Sequence, residues 1–233
     1  MTDEDFDCGD LYTLTTVNVE SKFFISHHEG GRSIDDAIEL FMDVERRRGK
    51  NGQIPVSTSD NWDDYEGDCS TSMKKLKIPS YKGIRRRSDP VIVPSEDLKY
   101  VQVCKKRKNG KVVEVVQRVV FGDPDEVLGI LYGNNSDGKI NTSYVERLNL
   151  TIRNSLARFV RRTMNESKDP EMHSRSLDFI QAWYNFVKPH KSLRVGENNG
   201  KRKWRQRTPA MAEGLTDHIW SLEDLFTFRV PVQ

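Results

Sequence analysis

Two short runs rich in β-branched and aromatic residues meet across the polar triplet Glu20-Ser21-Lys22, in LYTLTTVNVESKFFISHH at 11–28, and a helical period begins five residues later at Ser33. Tyr, Thr, Val, Phe and Ile favour extended backbone, so two such runs around a polar turn predict a hairpin. Ile34, Ala37, Ile38, Phe41 and Val44 follow at helical spacing, with Asp35 and Asp36 in the first turn, Arg46, Arg47 and Arg48 in the last, and Gly49 as the stop. Ile54 to Thr58, between Asn51-Gly52 and Ser59-Asp60-Asn61, predicts a brief buried strand ending at a carboxylate. The order is strand, strand, helix, strand, and an α/β class is expected.

Further along, prolines at 79, 90, 94 and 124 loosen the pattern. Tyr100 to Cys104 and Val112 to Phe121 predict a two-stranded ribbon turning at Asn109-Gly110, because Asn-Gly is a strong hairpin signal. Its tip carries Lys105, Lys106, Arg107, Lys108 and Lys111, which suit phosphate contacts or simply keep an exposed ribbon soluble. After the turn-rich 134–138, a helix is predicted from Ser143 to about Thr163, with Val145, Leu148, Ile152, Leu156 and Phe159 inside. A second runs from about Pro170 to Val187 on the stripe Leu177, Ile180, Trp183, Tyr184 and Val187, and Lys188-Pro189 ends it. Residues 196–207 read as a flexible basic segment and 208–233 as a small closing element.

Charge is segregated along the 233 residues. Net charge is −11 over 1–70, +7 over 71–139, +9 over 140–207 and −3 over the tail, leaving only +2 overall. An acidic part joined to a long basic part suits an anionic partner held beside carboxylates, and nucleic acid with a cation is the obvious pairing. With 36% hydrophobic residues and no apolar run near the length of a bilayer crossing, neither disorder nor a membrane protein is expected. Met1 leads into an acidic stretch rather than a signal peptide, and three cysteines (Cys8, Cys69, Cys104) without a C-x-x-C pair indicate no disulfide framework, so a reducing cytoplasm is expected.

The candidate chemistry lies in carboxylates. Asp60 ends a strand and Glu146 opens a helix, so both can project from one end of an α/β layer, as Mg²⁺ with its hard oxygen ligands requires. Asp60 also suits a turn, and Ser143-x-x-Glu146 has capping-box spacing. Glu146, Asn149 and Arg153 fall on one helical face, a sequence able to meet a metal, a base or sugar edge and a phosphate. Arg147, Arg158, Arg161 and Arg162 add positive charge beside it, or serve helix solubility.

Three segments carry a resemblance: T-S-D-N-W at 58–62, Y-V-E-R-L-N-L-T-I-R at 144–153 and Y-N-F-V-K-P-H-K-S-L at 184–193. In this order they resemble the DDE transposases of insertion sequences, nearest the short insertion-sequence-one type and its archaeal relatives. The resemblance implies a ribonuclease H-like mixed sheet flanked by helices over residues 1–195, a basic hairpin insert at about 68–139, and a basic linker and tail at 196–233. It implies that Asp60 and Glu146 are the second and third of three carboxylates that hold two Mg²⁺ (or Mn²⁺) ions for DNA strand cleavage and strand transfer. Asn149 and Arg153 match positions near transposon-end DNA, and Lys188, His190 and Lys191 belong to a closing motif expected at DNA. The intact enzyme would act as a homo-oligomer. The family's first carboxylate lies on a strand ahead of the hairpin; here only MTDEDFDCGD precedes it, so the first strand is expected to be missing and the chain N-terminally truncated, with Asp7 and Asp10 the only nearby carboxylates and Asp10 the candidate in its place.

Two other readings use the same residues. One is a non-catalytic DNA-binding regulator or inhibitor of an intact transposase. The other is a glycosidase-like hydrolase with Asp60 and Glu146 as acid and base, against which the surrounding Arg and Lys argue.

Overall fold

The computed structural model describes residues 11–31, 33–48, 54–60, 74–77, 91–94, 98–108, 111–132, 143–160, 164, 167, 169–197 and 203–229. They form an α/β protein of two compact units. The first comprises 1–14 and 28–142, the second 15–27 and 143–233.

The predicted hairpin is present as β1 (Tyr12–Val17) and β2 (Phe24–Gly30). At its turn the Lys22 N–H donates to the Asn18 carbonyl at 2.9 Å, and Lys22 takes a left-handed φ of 61°. In the first unit, α1 (Ile34–Arg47) starts at a reciprocal cap: the Ser33 N–H donates to the Asp36 carboxylate at 2.7 Å while the Asp36 N–H donates to the Ser33 hydroxyl at 3.3 Å. His28 Nε2 meets the same carboxylate at 3.0 Å, so Gly30 has to lack a side chain, since a Cβ there would collide with Asp36.

β3 covers Ser57–Asp60, not the predicted 54–58. The displacement follows from its partner: the Ser57 N–H donates to the Lys99 carbonyl at 3.0 Å, which fixes the parallel register Ser57 to Tyr100 through Asp60 to Val103. Pro55 has no N–H to offer such a ladder. A separate antiparallel pair joins β4 (Lys74–Lys77) and β5 (Val91–Pro94). β6 (Tyr100–Lys108) and β7 (Lys111–Phe121) form the antiparallel ribbon, longer than predicted. The ribbon does not stand alone, because β6 is the central strand of a mixed sheet ordered β3-β6-β7. Phe41, Leu98 and Tyr100 are buried together, with Ile54, Val120 and Phe121 packed on them; each large side chain withdrawn from water contributes about 1.5 to 3 kcal/mol. α2 (Pro124–Tyr132) follows, a helix the sequence reading passed over. Asp123 caps it by accepting from the Glu126 N–H at 3.0 Å.

In the second unit α3 (Ser143–Ser155) ends eight residues earlier than predicted. Leu156 is extended (φ −124°, ψ 114°) and a 3₁₀ turn follows at Ala157–Phe159. The break lets Leu156 and Phe159 pack on the core of Phe24, Leu148, Ile152, Leu177, Ile180 and Tyr184. α4 (Pro170–Ala182) is capped by Asp169 and runs into a π-helical turn at Trp183–Val187. β8 (His190–Gly196) pairs with β9 (Trp204–Arg207), so the end of the segment read as flexible is a strand. Two short helices close the unit, α5 (Pro209–Ala212) and α6 (Leu222–Thr227).

Candidate functional site

Asp60 is the last residue of β3, and its side chain is exposed. The strand end is held one residue earlier, where the Ser59 hydroxyl and the phenol of fully buried Tyr100 hydrogen-bond at 2.7 Å. Asp60 is thus an open carboxylate on a fixed strand terminus in the first unit. In the same unit Lys105 is half-buried on β6 and Lys108 is exposed at its end; Lys106 and Arg107 are strand residues whose side chains lie outside the described set. The basic residues predicted at a hairpin tip therefore continue a paired strand.

Glu146, Asn149 and Arg153 lie on α3 of the second unit. Glu146 is exposed, and Asn149 and Arg153 are half-buried. The Asn149 side-chain Oδ1 accepts from the Thr15 hydroxyl at 3.1 Å, so one end of the amide is tied to β1. Lys22 at the hairpin turn places its ammonium 3.5 Å above the ring centre of Tyr144, at the start of the same helix. These two contacts hold the hairpin against the helix that presents Glu146. Arg147 is exposed, and Arg158 is half-buried with its guanidinium donating to Ser167 at 3.4 Å. Arg161, Arg162 and Asp10 lie outside the described residues.

The closing motif is divided by environment. Lys191 is exposed. Lys188 is half-buried, 5.0 Å from the Trp183 ring centre, and burial lowers its pKa. His190 stands edge-on to Tyr184 at 4.7 Å with its Nε2 buried and without a hydrogen-bond partner. Burial, then the charges of Lys188 and Lys22, push its pKa down to about 4, while burial pushes Tyr184 up to about 12. Near neutral pH His190 is an uncharged ring and offers no cation to a phosphate. Its folded pKa lies below the unfolded value near 6.5, so its contribution to stability is complete above about pH 6.5 and is lost as pH falls toward 4. The loss is expected to be on the order of 2 kcal/mol, allowing for the part of the ring that water reaches. Denaturant titrations across pH 4 to 7 check this: His190→Phe should flatten the slope.

Two amides have roles that sequence reading did not assign. Asn185, in the π-helical turn, is 3% exposed; its Oδ1 accepts from the Phe24 N–H at 2.8 Å and its Nδ2 donates to the Phe24 carbonyl at 2.9 Å. Gln181 Nε2 donates to the Phe24 and Ile25 carbonyls at 3.1 and 2.9 Å. A helix thereby satisfies a strand's backbone, as a neighbouring strand would. The advance signal for Asn185 was its place in the quoted segment 184–193, and Gln181 had none.

The second unit also carries an open groove of about 410 Å³ lined by Asn18, Ser21, Ser192, Arg194, Arg207 and Glu213, among others. Its polar groups bind one another or the chain: Glu213 accepts from Asn18 at 2.9 Å and from Ser21, Arg207 donates to the Met211 carbonyl at 2.9 Å, and Arg194 lies 4.5 Å from the Trp204 ring centre. Among the described residues no three His, Cys, Asp or Glu side chains gather to hold a metal ion, and no helix is long and apolar enough to cross a membrane. Asp60 and Glu146, which belong to different units, are each exposed carboxylates, the donor type that Mg²⁺ takes. No protein-family model, curated protein or solved structure matches this chain.

Proposed function

We propose that this chain is the catalytic region of a DDE-type transposase with a ribonuclease H-like core, cutting and joining DNA at transposon ends. The observation that carries the reading is Asp60, an exposed carboxylate at the end of β3 in a mixed sheet and within the segment T-S-D-N-W. The exposed Glu146 on α3, with Asn149 and Arg153 along the same face, supports it. By donor type the exposed carboxylates of Asp60 and of Glu146 each suit Mg²⁺ or Mn²⁺, an ion that would supply Lewis acidity toward phosphate oxygens and activate a water or 3′-hydroxyl nucleophile. The chain's own part is to position DNA. Exposed Arg147, Lys108 and Lys191 neutralise phosphates, and Asn149, fixed by Thr15, keeps its NH₂ group for a sugar or base edge.

Nicking of supercoiled plasmid tests the reading. Mg²⁺- or Mn²⁺-dependent nicking is expected, falling at least about 100-fold in Asp60→Ala and in Glu146→Ala while DNA binding persists, because loss of one ligand misplaces the reacting groups. Nicking that survives both substitutions overturns the proposal. Binding without nicking selects the regulator reading.

A further inference from the structure

β8 and β9 form a two-stranded ribbon in the second unit, and its surface is basic. Lys191 and Arg194 on β8, Lys203 just ahead of β9 and Arg205 on it are all exposed. Charge on a short exposed ribbon is ordinary, because it keeps free strand edges from pairing with other chains. A tryptophan there is not. Trp204 opens β9 with 43% of its surface in water, and among the described residues it is packed into neither core. Its register partner is Gly196, which has no side chain to cover the indole. Arg194 lies two residues before Gly196, on the same face of the ribbon, and sets its guanidinium carbon over the Trp204 ring, 4.5 Å from the centre.

We propose that this ribbon binds single-stranded DNA, an unpaired base stacking on the Arg194–Trp204 pair while the neighbouring phosphates meet Lys203 and Arg205. Inside a duplex the faces of the bases are covered by their neighbours, and only base edges reach the grooves. An indole and a guanidinium held out among cations therefore suit unpaired bases, whose flat faces are open whatever the sequence. Lysine and arginine alone would serve either form of DNA, since both carry phosphates. The indole selects between them. This binding mode rests on the reading of the chain as a DNA-cutting protein, whose cuts leave strand ends free to unpair, and that reading gives the ribbon only a phosphate contact at Lys191.

Fluorescence anisotropy of the full chain with a labelled oligothymidylate of about 15 nucleotides, and with a duplex of the same length, tests this at about 150 mM salt. Neither measurement requires cleavage, so plasmid nicking and oligothymidylate binding can fail separately. The natural chain is expected to bind the single strand. Trp204→Ala should weaken that binding about ten-fold or more and change duplex binding by less than about two-fold. Trp204→Phe keeps a stacking face and should retain single-strand binding within about three-fold. Indole emission should fall as oligothymidylate binds the natural chain, and in Trp204→Phe that quench should be lost while binding persists, which locates the stacked base at residue 204 whether or not Trp204→Ala folds. A quench that persists in Trp204→Phe, equal losses for single strand and duplex in a folded Trp204→Ala, or a natural chain without affinity for oligothymidylate overturns the proposal.

Discussion

Replacing Asn185 by leucine is expected to lower the stability of the second unit by about 2 to 4 kcal/mol. Leucine has a similar volume, so the cost comes from polar groups and not from a cavity. The Phe24 N–H, whose partner is the Asn185 side chain at 2.8 Å, would be left in a core made of Phe24, Leu148, Ile152 and Tyr184. A buried donor without a partner costs about 1 to 3 kcal/mol. The Phe24 carbonyl loses its 2.9 Å bond to Asn185 but keeps the one from Gln181 at 3.1 Å, which limits the additional loss. Gln181→Leu should therefore cost less than Asn185→Leu. Urea unfolding followed by tryptophan fluorescence checks both, Trp183 lying at the edge of this core; a loss below about 0.5 kcal/mol for Asn185→Leu contradicts the account.

DNA binding is expected to weaken several hundred-fold between about 50 and about 200 mM salt, with little sequence preference. The sequence holds +7 over residues 71–139 and +9 over 140–207, so an acidic polymer meets a surplus of Lys and Arg. Displacing counterions from about five phosphates gives a log–log slope near −4.5, and it is this release that salt opposes. Lys191→Ala or Arg147→Ala should reduce the slope by about one each, whereas His190→Ala should leave it unchanged near neutral pH, its ring being uncharged there. Fluorescence anisotropy with two unrelated duplexes measures both slope and preference. Binding that ignores salt would show that the basic segments do not contact the phosphates.

Elements defined by their own local signals were legible in the sequence. Ser33 and the Ile34 to Val44 period are α1, and the polar triplet at Glu20 to Lys22 is the hairpin turn. Elements defined by a partner were not. β3 begins at Ser57 because Lys99 lies opposite, and no pattern within Ile54 to Thr58 carries that information. β8 and β9 are basic and largely exposed, so His190 to Gly196 and Trp204 to Arg207 lack the apolar alternation that marks a half-buried strand. The α3 break at Leu156 continues the apolar period in sequence while leaving the helix in space, since the 3₁₀ turn still delivers Phe159 to the core. The charged candidates were legible as residue types. Their surroundings were not: only the fold shows that Thr15 holds Asn149 and that His190 is shut away beside Tyr184.

The pairing of Phe24 with Asn185 spans 161 residues, and this sets a timetable for the chain as it is made. Residues 15–27 emerge early, yet the unit they complete draws the rest of its chain from 143 onward. At about 5 to 20 residues per second the β2 backbone waits roughly 10 to 30 s for the helix that covers it. Residues 28–142, which supply most of the first unit, emerge during that interval and can fold within it. The second unit is therefore the slow one, since its loop has to close before any contact rewards the closure. During the delay the Phe24 backbone, whose partners in the finished fold are the Asn185 and Gln181 side chains, has only water to bond.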